Sequence, residues 1–282
     1  MNDLKTRELV REWGFRFTKS LGQNFLTDKQ VVADIIAGSG ITGEDHVLEI
    51  GPGSGALTRE LLKTAKHVTA VEIDKDLIPM LLTEFKAADN FTLINEDILD
   101  VDLKAIGEGK PLKVVANLPY YVTTPILLKL LAEDFNFEAI TVMIQKEVAD
   151  RICAGPGGKD YGSLSLLVQY HTEPLRLRVV KPESFVPKPK VDSIVIKLTK
   201  RQTKPVTPLD EALFFKLIRQ SFAMRRKTLH NTLKPLGFPP EIMARAFLNA
   251  GIDPVRRGET LSMEEFARLS DELSGGTNEK NL

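Results

Sequence analysis

The stretch Val47-Leu48-Glu49-Ile50-Gly51-Pro52-Gly53-Ser54-Gly55 decides the fold expected of this chain. An apolar run is followed by three glycines and then by a helical pattern over residues 56–64, which predicts a strand, a tight loop and a helix. Glycines permit the turn and let the backbone approach a ligand closely. The third glycine comes one residue too early for the dinucleotide fingerprint G-x-G-x-x-G, so a pyrophosphate cradle is disfavoured. Glu49, just before the loop, favours a cationic ligand.

Strands and helices alternate on both sides of this loop. Further strands are predicted at residues 67–73, 91–95, 114–116 and 139–144, and further helices at 77–85, 124–131 and 147–153, whereas 163–170 fits either state. Residues 175–180 and 193–199 read as an antiparallel pair at the edge of the sheet. The pattern predicts an α/β fold with a Rossmann-like, doubly wound and mainly parallel sheet.

After a charged linker at residues 199–207, the pattern becomes purely helical. We predict a first domain over residues 1–202 and a small all-α domain over 203–282, with three or four helices and a frayed tail from residue 275. Thr207 followed by Pro208 predicts the first helix start, and Ser262 with Glu265 predicts a capping box for the last helix, which is expected to end near Leu273.

The bulk composition limits the possible functions. The 282 residues carry 38 basic and 38 acidic side chains, so only a local basic cluster would support nucleic-acid binding. A single cysteine, Cys153, excludes an internal disulfide, and no stretch looks like a signal peptide or a membrane span. The four histidines lack the spacing of metal ligands, so no metal is predicted. We expect a cytoplasmic monomer that does not contact a membrane.

Acidic residues follow the next two predicted strands. Glu72-Ile73-Asp74 ends the second strand, about twenty residues after the glycine loop, where an acid can bind ribose hydroxyls. Asp97 ends the third strand and could accept a hydrogen bond from an adenine amino group. A glycine loop, a ribose acid and an adenine acid on successive strands predict S-adenosyl-L-methionine as the cofactor, in preference to NAD.

Asn117-Leu118-Pro119-Tyr120 follows the fourth strand. The Asn117 side-chain oxygen and the Leu118 carbonyl, which precedes proline, are two hydrogen-bond acceptors, and Tyr120 offers a flat ring. This corner suits a planar base with an exocyclic amine, because two acceptors can hold the amine hydrogens while its lone pair points at a methyl donor. A base inside a duplex cannot reach such a pocket, so it must be unpaired or flipped out. The simpler interpretation of the tetrapeptide alone is a turn after a strand.

The densest basic cluster is Arg225-Arg226-Lys227, which we interpret as an RNA contact. A solvated helix end would explain the same charges if they stood alone. Lys19 and Lys188, with Arg16 and Lys190, could form a second basic rim nearer the pocket.

Four motifs in order resemble the ribosomal RNA adenine N6,N6-dimethyltransferases. They are LGQNFL at 21–26, EIGPGSG at 49–55, NLPY at 117–120 and FVPKPKVDS at 185–193. The bacterial small-subunit branch looks most similar. The resemblance implies a class I methyltransferase fold and dimethylation of two adjacent adenines in a hairpin loop near the 3′ end of 16S ribosomal RNA, in the assembling 30S particle.

The resemblance also implies roles for individual residues. Asn24, Leu26 and Gly51 would contact the cofactor, with Gly51 at the methionine moiety. Glu72 would bind the ribose and Asp97 the cofactor adenine. Asn117 would touch both cofactor and target amine, and the catalytic corner would comprise Asn117, Leu118, Pro119 and Tyr120, with Tyr120 and Phe185 sandwiching the target base.

Two alternatives remain open from the sequence. The large-subunit methyltransferases of macrolide resistance share the glycine loop and the Asn-Leu-Pro-Tyr type of corner, but the 185–193 stretch and the second domain favour the small-subunit branch. A non-catalytic RNA-binding assembly factor is the other alternative, although such a protein has no evident use for the Asn117 corner.

Overall fold

The computed structural model describes residues 22–107, 109–133 and 135–278. The chain divides into two compact units: the first comprises residues up to Ala149 together with Glu173–Lys200, and the second comprises Asp150–Thr172 together with the residues from Arg201 onward. The predicted boundary at 202/203 places all of residues 150–172 in the first domain. The structure corrects this assignment, because Tyr161, Leu166 and Tyr170 are buried in the core of the second unit.

A seven-stranded sheet organises the first unit. The strands of the chain are β1 (Phe25–Leu26), β2 (His46–Ile50), β3 (His67–Glu72), β4 (Phe91–Asn95), β5 (Leu112–Asn117), β6 (Phe137–Gln145), β7 (Thr172–Val180), β8 (Phe185–Val186) and β9 (Ser193–Lys200). The sheet has the order β4-β3-β2-β5-β6-β9-β7. The neighbours from β4 to β6 are parallel and β9 is antiparallel to β6, which confirms the predicted doubly wound, mainly parallel sheet.

The register of the central strands brings three predicted functional positions to one edge. Ile50 is the partner of Val71 on β3 and of Ala116 on β5. Gly51, Glu72 and Asn117 follow these three residues directly in the sequence. Because parallel strands present their carboxyl ends at the same edge, the glycine loop, the β3 acids and the Asn117 corner are neighbours.

Helices follow most strands of the first unit. They are α1 (Lys29–Ser39), α2 (Ala56–Thr64), α3 (Ile78–Glu84), α4 (Leu103–Gly107), α5 (Thr123–Ala132) and α6 (Lys146–Ile152), the last of which contains the boundary between Ala149 and Asp150. The Asp28 carboxylate caps α1, accepting from the backbone N–H of Gln30 at 3.0 Å and of Val31 at 3.4 Å. Val31, Val32 and Ile35 then point into the core against the sheet.

A separate two-stranded sheet joins β1 to β8 and was not predicted. The strands are antiparallel, with Phe25 opposite Val186 and Leu26 opposite Phe185. The Thr27 backbone N–H also donates to the Ser184 carbonyl at 2.8 Å. This pairing attaches the segment that precedes α1 to the connection between β7 and β9.

The second unit is helical. It contains α7 (Ser163–His171), α8 (Glu211–Ser221), α9 (Leu229–Leu233), α10 (Pro240–Ala250) and α11 (Met263–Asn278) around a core that includes Phe214, Leu217, Phe247 and Phe266. The segment 163–170, which fitted either state, is therefore helical. Between residue 202 and the last described residue, 278, the structure has four α-helices, in agreement with the predicted three or four.

The structure contradicts the predicted cap of α8 and confirms the predicted capping box of α11. The cap of α8 is Asp210, whose carboxylate accepts from the Leu213 N–H at 2.9 Å, and not Thr207. The capping box of α11 is confirmed: the Ser262 N–H donates to the Glu265 carboxylate at 2.8 Å, and the Glu265 N–H donates to the Ser262 hydroxyl at 3.3 Å. This helix continues to Asn278, beyond the end predicted near Leu273 and past residue 275, where fraying was expected.

Within the described parts of the chain, no helix has both the length and the apolar composition needed to cross a bilayer. In the same residues, no cluster of three or more His, Cys, Asp or Glu side chains is arranged to hold a metal ion.

Candidate active site

A cavity in the first unit opens at the carboxyl edge of the central strands. Its lining includes the glycine loop, the ends of β3 and β4, the Asn117 corner and residues 22–26 that precede α1. The predicted positions that line it are Asn24, Leu26, Gly51, Glu72, Asp97, Asn117, Leu118, Pro119 and Tyr120. The structure therefore brings together all but one of the cofactor and catalytic residues expected from the sequence.

The glycine loop needs its glycines for two different reasons. All three have a positive φ, which favours glycine: 66° at Gly51, 57° at Gly53 and 75° at Gly55. A Cβ on Gly53 would lie 3.0 Å from the ring of Phe25, whereas a Cβ on Gly51 would meet no atom within 4 Å. The loop is thus packed at Gly53 and open at Gly51, where a ligand can approach the backbone.

Glu72 is a buried acid whose carboxylate bridges two loops. It is 5% exposed, and it accepts from the Gly53 N–H at 3.1 Å and from the Asp74 N–H at 2.9 Å. Burial raises the pKa of Glu72. The backbone donors lower this pKa in part, whereas the nearby Asp74 charge raises it further. Each carboxylate oxygen retains a lone pair, so hydroxyl groups can still donate to it.

Asp97 lies at the end of β4, where its carboxylate also has a structural partner. It accepts from the Leu99 N–H at 2.9 Å, which fixes the turn after the strand. The carboxylate lines the cavity two strands away from the glycine loop.

Glu49 lies behind the glycine loop and does not line the cavity. It is 1% exposed, and neither carboxylate oxygen has a hydrogen-bond partner in the part of the chain that the structure describes. Burial raises the pKa of Glu49 to about 8, and repulsion from Glu72 adds to the shift, although the nearby Thr58 hydroxyl opposes it. A neutral Glu49 at neutral pH does not supply the negative charge for a cationic ligand that the sequence interpretation assigned to it.

The Asn117 carboxamide is oriented by a backbone group from a distant segment. Its Nδ2 donates to the Asn24 carbonyl at 2.9 Å. Among the described residues, no donor meets its oxygen Oδ1 or the Leu118 carbonyl. The Leu118 N–H donates to the Met143 carbonyl at 3.1 Å, and its side chain is buried, so this part of the backbone is fixed. Two oxygen acceptors therefore lie side by side in the chain, with no donor of their own.

The corner continues through Pro119 to Tyr120. The Pro119 carbonyl accepts from the Thr123 hydroxyl at 3.0 Å, which ties the turn to the start of α5. The Tyr120 hydroxyl shares a hydrogen bond of 2.7 Å with Ser193 Oγ, and burial raises the pKa of Tyr120. The phenol is consequently neutral and its ring is held in place against the cavity.

Phe185 is the predicted site residue that the structure does not bring to the cavity. It is 1% exposed and packs in the core with Leu26, Val32 and Met143. The pairing of β1 with β8 sets Phe185 opposite Leu26, and this register accounts for its position. The expected sandwich of a base between Tyr120 and Phe185 is not formed in this conformation.

Tyr121 and Gln23 are among the cavity residues to which sequence reasoning gave no site role. Tyr121 lines the cavity with 56% of its surface exposed, and a Cβ on Gly22 would lie 3.1 Å from the Tyr121 ring. Burial raises the pKa of Tyr121, and the charges of Asp97 and Glu72 add to the shift. Gln23 also lines the cavity and donates to Asp74 at 2.6 Å. Their positions beside Tyr120 and Asn24 in the sequence were the available signals.

The predicted RNA-contact residues are placed separately in the two units. Arg225, Arg226 and Lys227 form an exposed turn after α8 in the second unit, where Arg225 also contacts the Lys159 carbonyl and lies 3.6 Å from Glu259. Lys188 belongs to the first unit and is largely exposed, with its Nζ 3.9 Å from Glu183. Lys19 lies outside the described residues.

The residues of the cavity fit an adenosyl cofactor. Open backbone at Gly51, a buried acid at the end of β3 and a second acid at the end of β4 lie in order along one edge of the sheet and line one cavity. Together with the seven-stranded sheet and its antiparallel β9, they define a class I S-adenosylmethionine-dependent methyltransferase.

Comparison with known proteins gives the particular family. The family model described as "Ribosomal RNA adenine dimethylase" matches residues 14–274, and the chain belongs to this family. A "Ribosomal RNA small subunit methyltransferase A" of Clostridium acetobutylicum is 56% identical over 274 residues, covering 97% of this chain and 99% of the relative. The protein of the same name from Clostridium perfringens is 53% identical over 274 residues, covering 97% and 96%.

Solved structures agree with this assignment. A dimethyladenosine transferase from Plasmodium falciparum is 26% identical with a TM-score of 0.76, over 92% of this chain and 98% of the other. The 23S rRNA methyltransferase ErmE is 25% identical with a TM-score of 0.69, over 89% and 100%. The chain is thus an S-adenosylmethionine-dependent rRNA adenine dimethyltransferase.

Proposed function

We propose that this enzyme converts two adjacent adenines, in a hairpin loop near the 3′ end of 16S ribosomal RNA, to N6,N6-dimethyladenosine during small-subunit biogenesis. The names of relatives that are 53–56% identical over nearly the whole chain support the small subunit as the source of the RNA. The observation that carries the chemistry is the Asn117 corner, where Asn117 and Leu118 line the cavity and neither the amide oxygen nor the Leu118 carbonyl has a donor among the described residues.

We assign cofactor binding to residues on four segments. The Gly51 backbone would approach the methionine moiety, Glu72 would accept from the ribose hydroxyls, and Asp97 would accept from the adenine amine. Asn24 and Leu26 would close the site from the segment before α1. S-adenosylmethionine supplies an electrophilic methyl group when bound, so the protein needs to provide alignment more than activation.

Asn117 and Leu118 would prepare the target amine. The lone pair of an aromatic amine is delocalised into its ring, and it becomes available when the nitrogen turns pyramidal. Two acceptors that hold the two N6 hydrogens favour that geometry and stabilise positive charge as it develops on the nitrogen. The hydrogen bond from Asn117 Nδ2 to Asn24 keeps the amide oxygen available for this purpose. Loss of this hydrogen bond is expected to lower kcat more than it lowers the affinity for the cofactor.

Tyr120 is the proposed stacking partner of the target base. Its ring lines the cavity beside Asn117, and the hydrogen bond to Ser193 holds it there. Stacking of a base on an aromatic side chain contributes about 1–3 kcal/mol. Phe185 would have to leave the core to form the second face of a sandwich, so we assign stacking to Tyr120 and a supporting position to Phe185.

The exposed turn at Arg225, Arg226 and Lys227 is the proposed phosphate contact of the second unit, and Lys188 and Lys19 are proposed for the first. A protein of zero net charge needs such local clusters to bind RNA. Because Arg225 is engaged with Glu259, Arg226 and Lys227 are expected to contribute more. We propose that the enzyme acts as a monomer in the cytoplasm on the assembling 30S particle.

The large-subunit alternative is less well supported. ErmE, a 23S rRNA methyltransferase, shares the fold at 25% identity, whereas the relatives named for the small subunit are more than twice as similar in sequence. The corner at Asn117 also favours catalysis over a purely RNA-binding role, because neither of its two acceptors is needed to hold the fold.

The test is transfer of tritiated methyl groups from S-adenosylmethionine to purified small subunits that lack N6,N6-dimethyladenosine, followed by mapping of the labelled nucleotides. Label at two adjacent adenines near the 3′ end is expected, with none on large subunits. Asn117→Ala should lower kcat/KM about 100- to 1000-fold, comparable to the loss of one oxyanion-hole donor. Label on large subunits alone would exclude the proposed substrate, and full activity of Asn117→Ala would exclude the proposed chemistry.

A further inference from the structure

We propose that Gln23 is a positioning residue, which acts through Asp74 to hold residues 22–26 across the cofactor cavity and thereby orients the Asn117 carboxamide. We call residues 22–26 the strap. This inference rests on the proposed function, since it assigns a role to the strap in the same site.

The link between Gln23 and Asp74 joins the strap to the acids of β3. Gln23 Nε2 donates to Asp74 Oδ2 at 2.6 Å, and Asp74 is 6% exposed. The other oxygen, Oδ1, accepts from the Asp76 N–H at 3.0 Å. Asp74 in turn donates its own N–H to Glu72 at 2.9 Å. The strap is therefore connected through one side-chain hydrogen bond to the carboxylate assigned to the ribose.

The neighbouring residue of the strap controls the catalytic amide. Asn117 Nδ2 donates to the carbonyl of Asn24, which directly follows Gln23. A carboxamide has two orientations that differ by exchange of its oxygen and nitrogen, and its partners decide which one is adopted. With the Asn24 carbonyl in place, the nitrogen is engaged and the oxygen remains for the target amine. If the strap moves, the amide loses the group that selects this orientation.

Other contacts among the described residues hold the strap at both ends. Phe25 and Leu26 pair with β8, which fixes the end next to α1. At the other end, Gly22 has a φ of 56° and packs so closely on the Tyr121 ring that a Cβ would lie 3.1 Å from it. Between these ends, Gln23 donates to Asp74 and the Asn24 carbonyl accepts from Asn117.

Because Gln23 donates and Asp74 accepts, the hydrogen bond can be tested by exchanging the donor and the acceptor. Gln23→Glu places a second carboxylate against Asp74, so the strap is repelled. Adding Asp74→Asn restores a donor and an acceptor in reversed order, and the asparagine keeps an oxygen for the Asp76 N–H. Asp74→Asn alone is the matched control, because the Gln23 amide can turn its oxygen toward the new nitrogen.

Binding of S-adenosylhomocysteine, measured by titration calorimetry, is the first readout and requires neither RNA nor catalysis. Gln23→Glu should weaken binding about 10- to 100-fold, as expected when a charge-assisted hydrogen bond is replaced by repulsion. Asp74→Asn alone and the double variant should bind within about threefold of the wild type. The second readout is kcat at saturating S-adenosylmethionine, which should fall in Gln23→Glu and recover in the double variant, while the melting temperature stays unchanged.

The outcomes separate this inference from the proposed function. Failure of the wild-type protein to bind S-adenosylhomocysteine would overturn the proposed function itself. If the wild type binds, but Gln23→Glu binds equally well, the strap does not depend on Gln23. A double variant as weak as Gln23→Glu would show that the pairing with Asp74 is not the cause, and this too would overturn the proposal.

Discussion

Glu49→Gln should change the stability of the protein in a way that depends on pH: the variant should be equal to or less stable than the wild type at pH 5 and more stable at pH 8. Glu49 is 1% exposed and has no hydrogen-bond partner within residues 22–107, 109–133 and 135–278, and burial raises its pKa from 4.5 to about 8. The folded state therefore holds a proton on Glu49 that the unfolded chain releases near pH 4.5. The favourable contribution of the neutral acid is fully present below the unfolded pKa, and it is lost as the pH rises toward the folded pKa.

The size of the effect follows from the two pKa values. Each pH unit between 4.5 and 8 costs about 1.36 kcal/mol, so the loss amounts to about 1 kcal/mol at pH 5 and about 4 kcal/mol at pH 8. Glutamine resembles the neutral acid and does not titrate, so it escapes this loss. Its additional N–H group lacks a partner at this site and costs about 1–3 kcal/mol at every pH. The difference in free energy of unfolding between Glu49→Gln and the wild type should therefore change by about 3 kcal/mol between pH 5 and pH 8.

The assay is urea unfolding followed by circular dichroism at several pH values, with no cofactor present. Glu44→Gln is the matched control, because the Glu44 side chain is 89% exposed and its substitution should leave the pH profile unchanged. A constant difference between wild type and Glu49→Gln from pH 5 to pH 8 would refute the reasoning. It would mean that Glu49 is ionised in the fold and is stabilised by a donor that the structure does not contain.

Three further substitutions test other parts of the fold and site. Gly55→Ala should lower the free energy of unfolding by about 1–3 kcal/mol, because φ is 75° and the new Cβ would lie 2.7 Å from the Phe85 ring. An unchanged urea midpoint would contradict this close contact. Asp210→Ala should lower the free energy of unfolding by about 1 kcal/mol through loss of the α8 cap, whereas Thr207→Ala should change it by less than about 0.5 kcal/mol. If thermal unfolding showed the larger loss for Thr207→Ala, Thr207 would be the cap. Arg226→Ala should weaken RNA binding and reduce the slope of log affinity against log salt by about one, and an unaltered slope would place the phosphate contact elsewhere.

The strands and helices of the sheet could be predicted because each carries a local signal. Residues 46–50 and 91–95 are short apolar runs bounded by polar or glycine residues, and the structure has strands at these positions. The start of α8 was misplaced because Thr207-Pro208 and Asp210 are both acceptable helix starts. Asp210 is the cap because its carboxylate accepts from the Leu213 N–H at 2.9 Å, a contact that sequence alone does not show.

The functional acids were predictable for a geometric reason. Parallel strands present their carboxyl ends at one edge, so the ends of three strands identify Glu72, Asp97 and Asn117 without knowledge of side-chain contacts. The assignment of residues 150–172 to the second unit was not predictable in this way, because it depends on burial of Tyr161 and Tyr170 against helices that follow much later in the chain. The core position of Phe185 was not predictable for the same reason, because it depends on pairing with Leu26, which lies far away in the sequence.

The stretch at 185–193 supports the site without lining its cavity. Phe185 and Val186 pair with the strap, and the strap supplies the carbonyl that orients the Asn117 amide. At the other end of the stretch, Ser193 holds the Tyr120 hydroxyl at 2.7 Å. This sequence motif therefore supports the cavity through two other groups, the Asn24 carbonyl of the strap and the Tyr120 hydroxyl. This arrangement explains why the order of strands alone does not build the site: the sheet places Asn117 at the correct edge, but the orientation of its amide is set by a segment held outside the sheet.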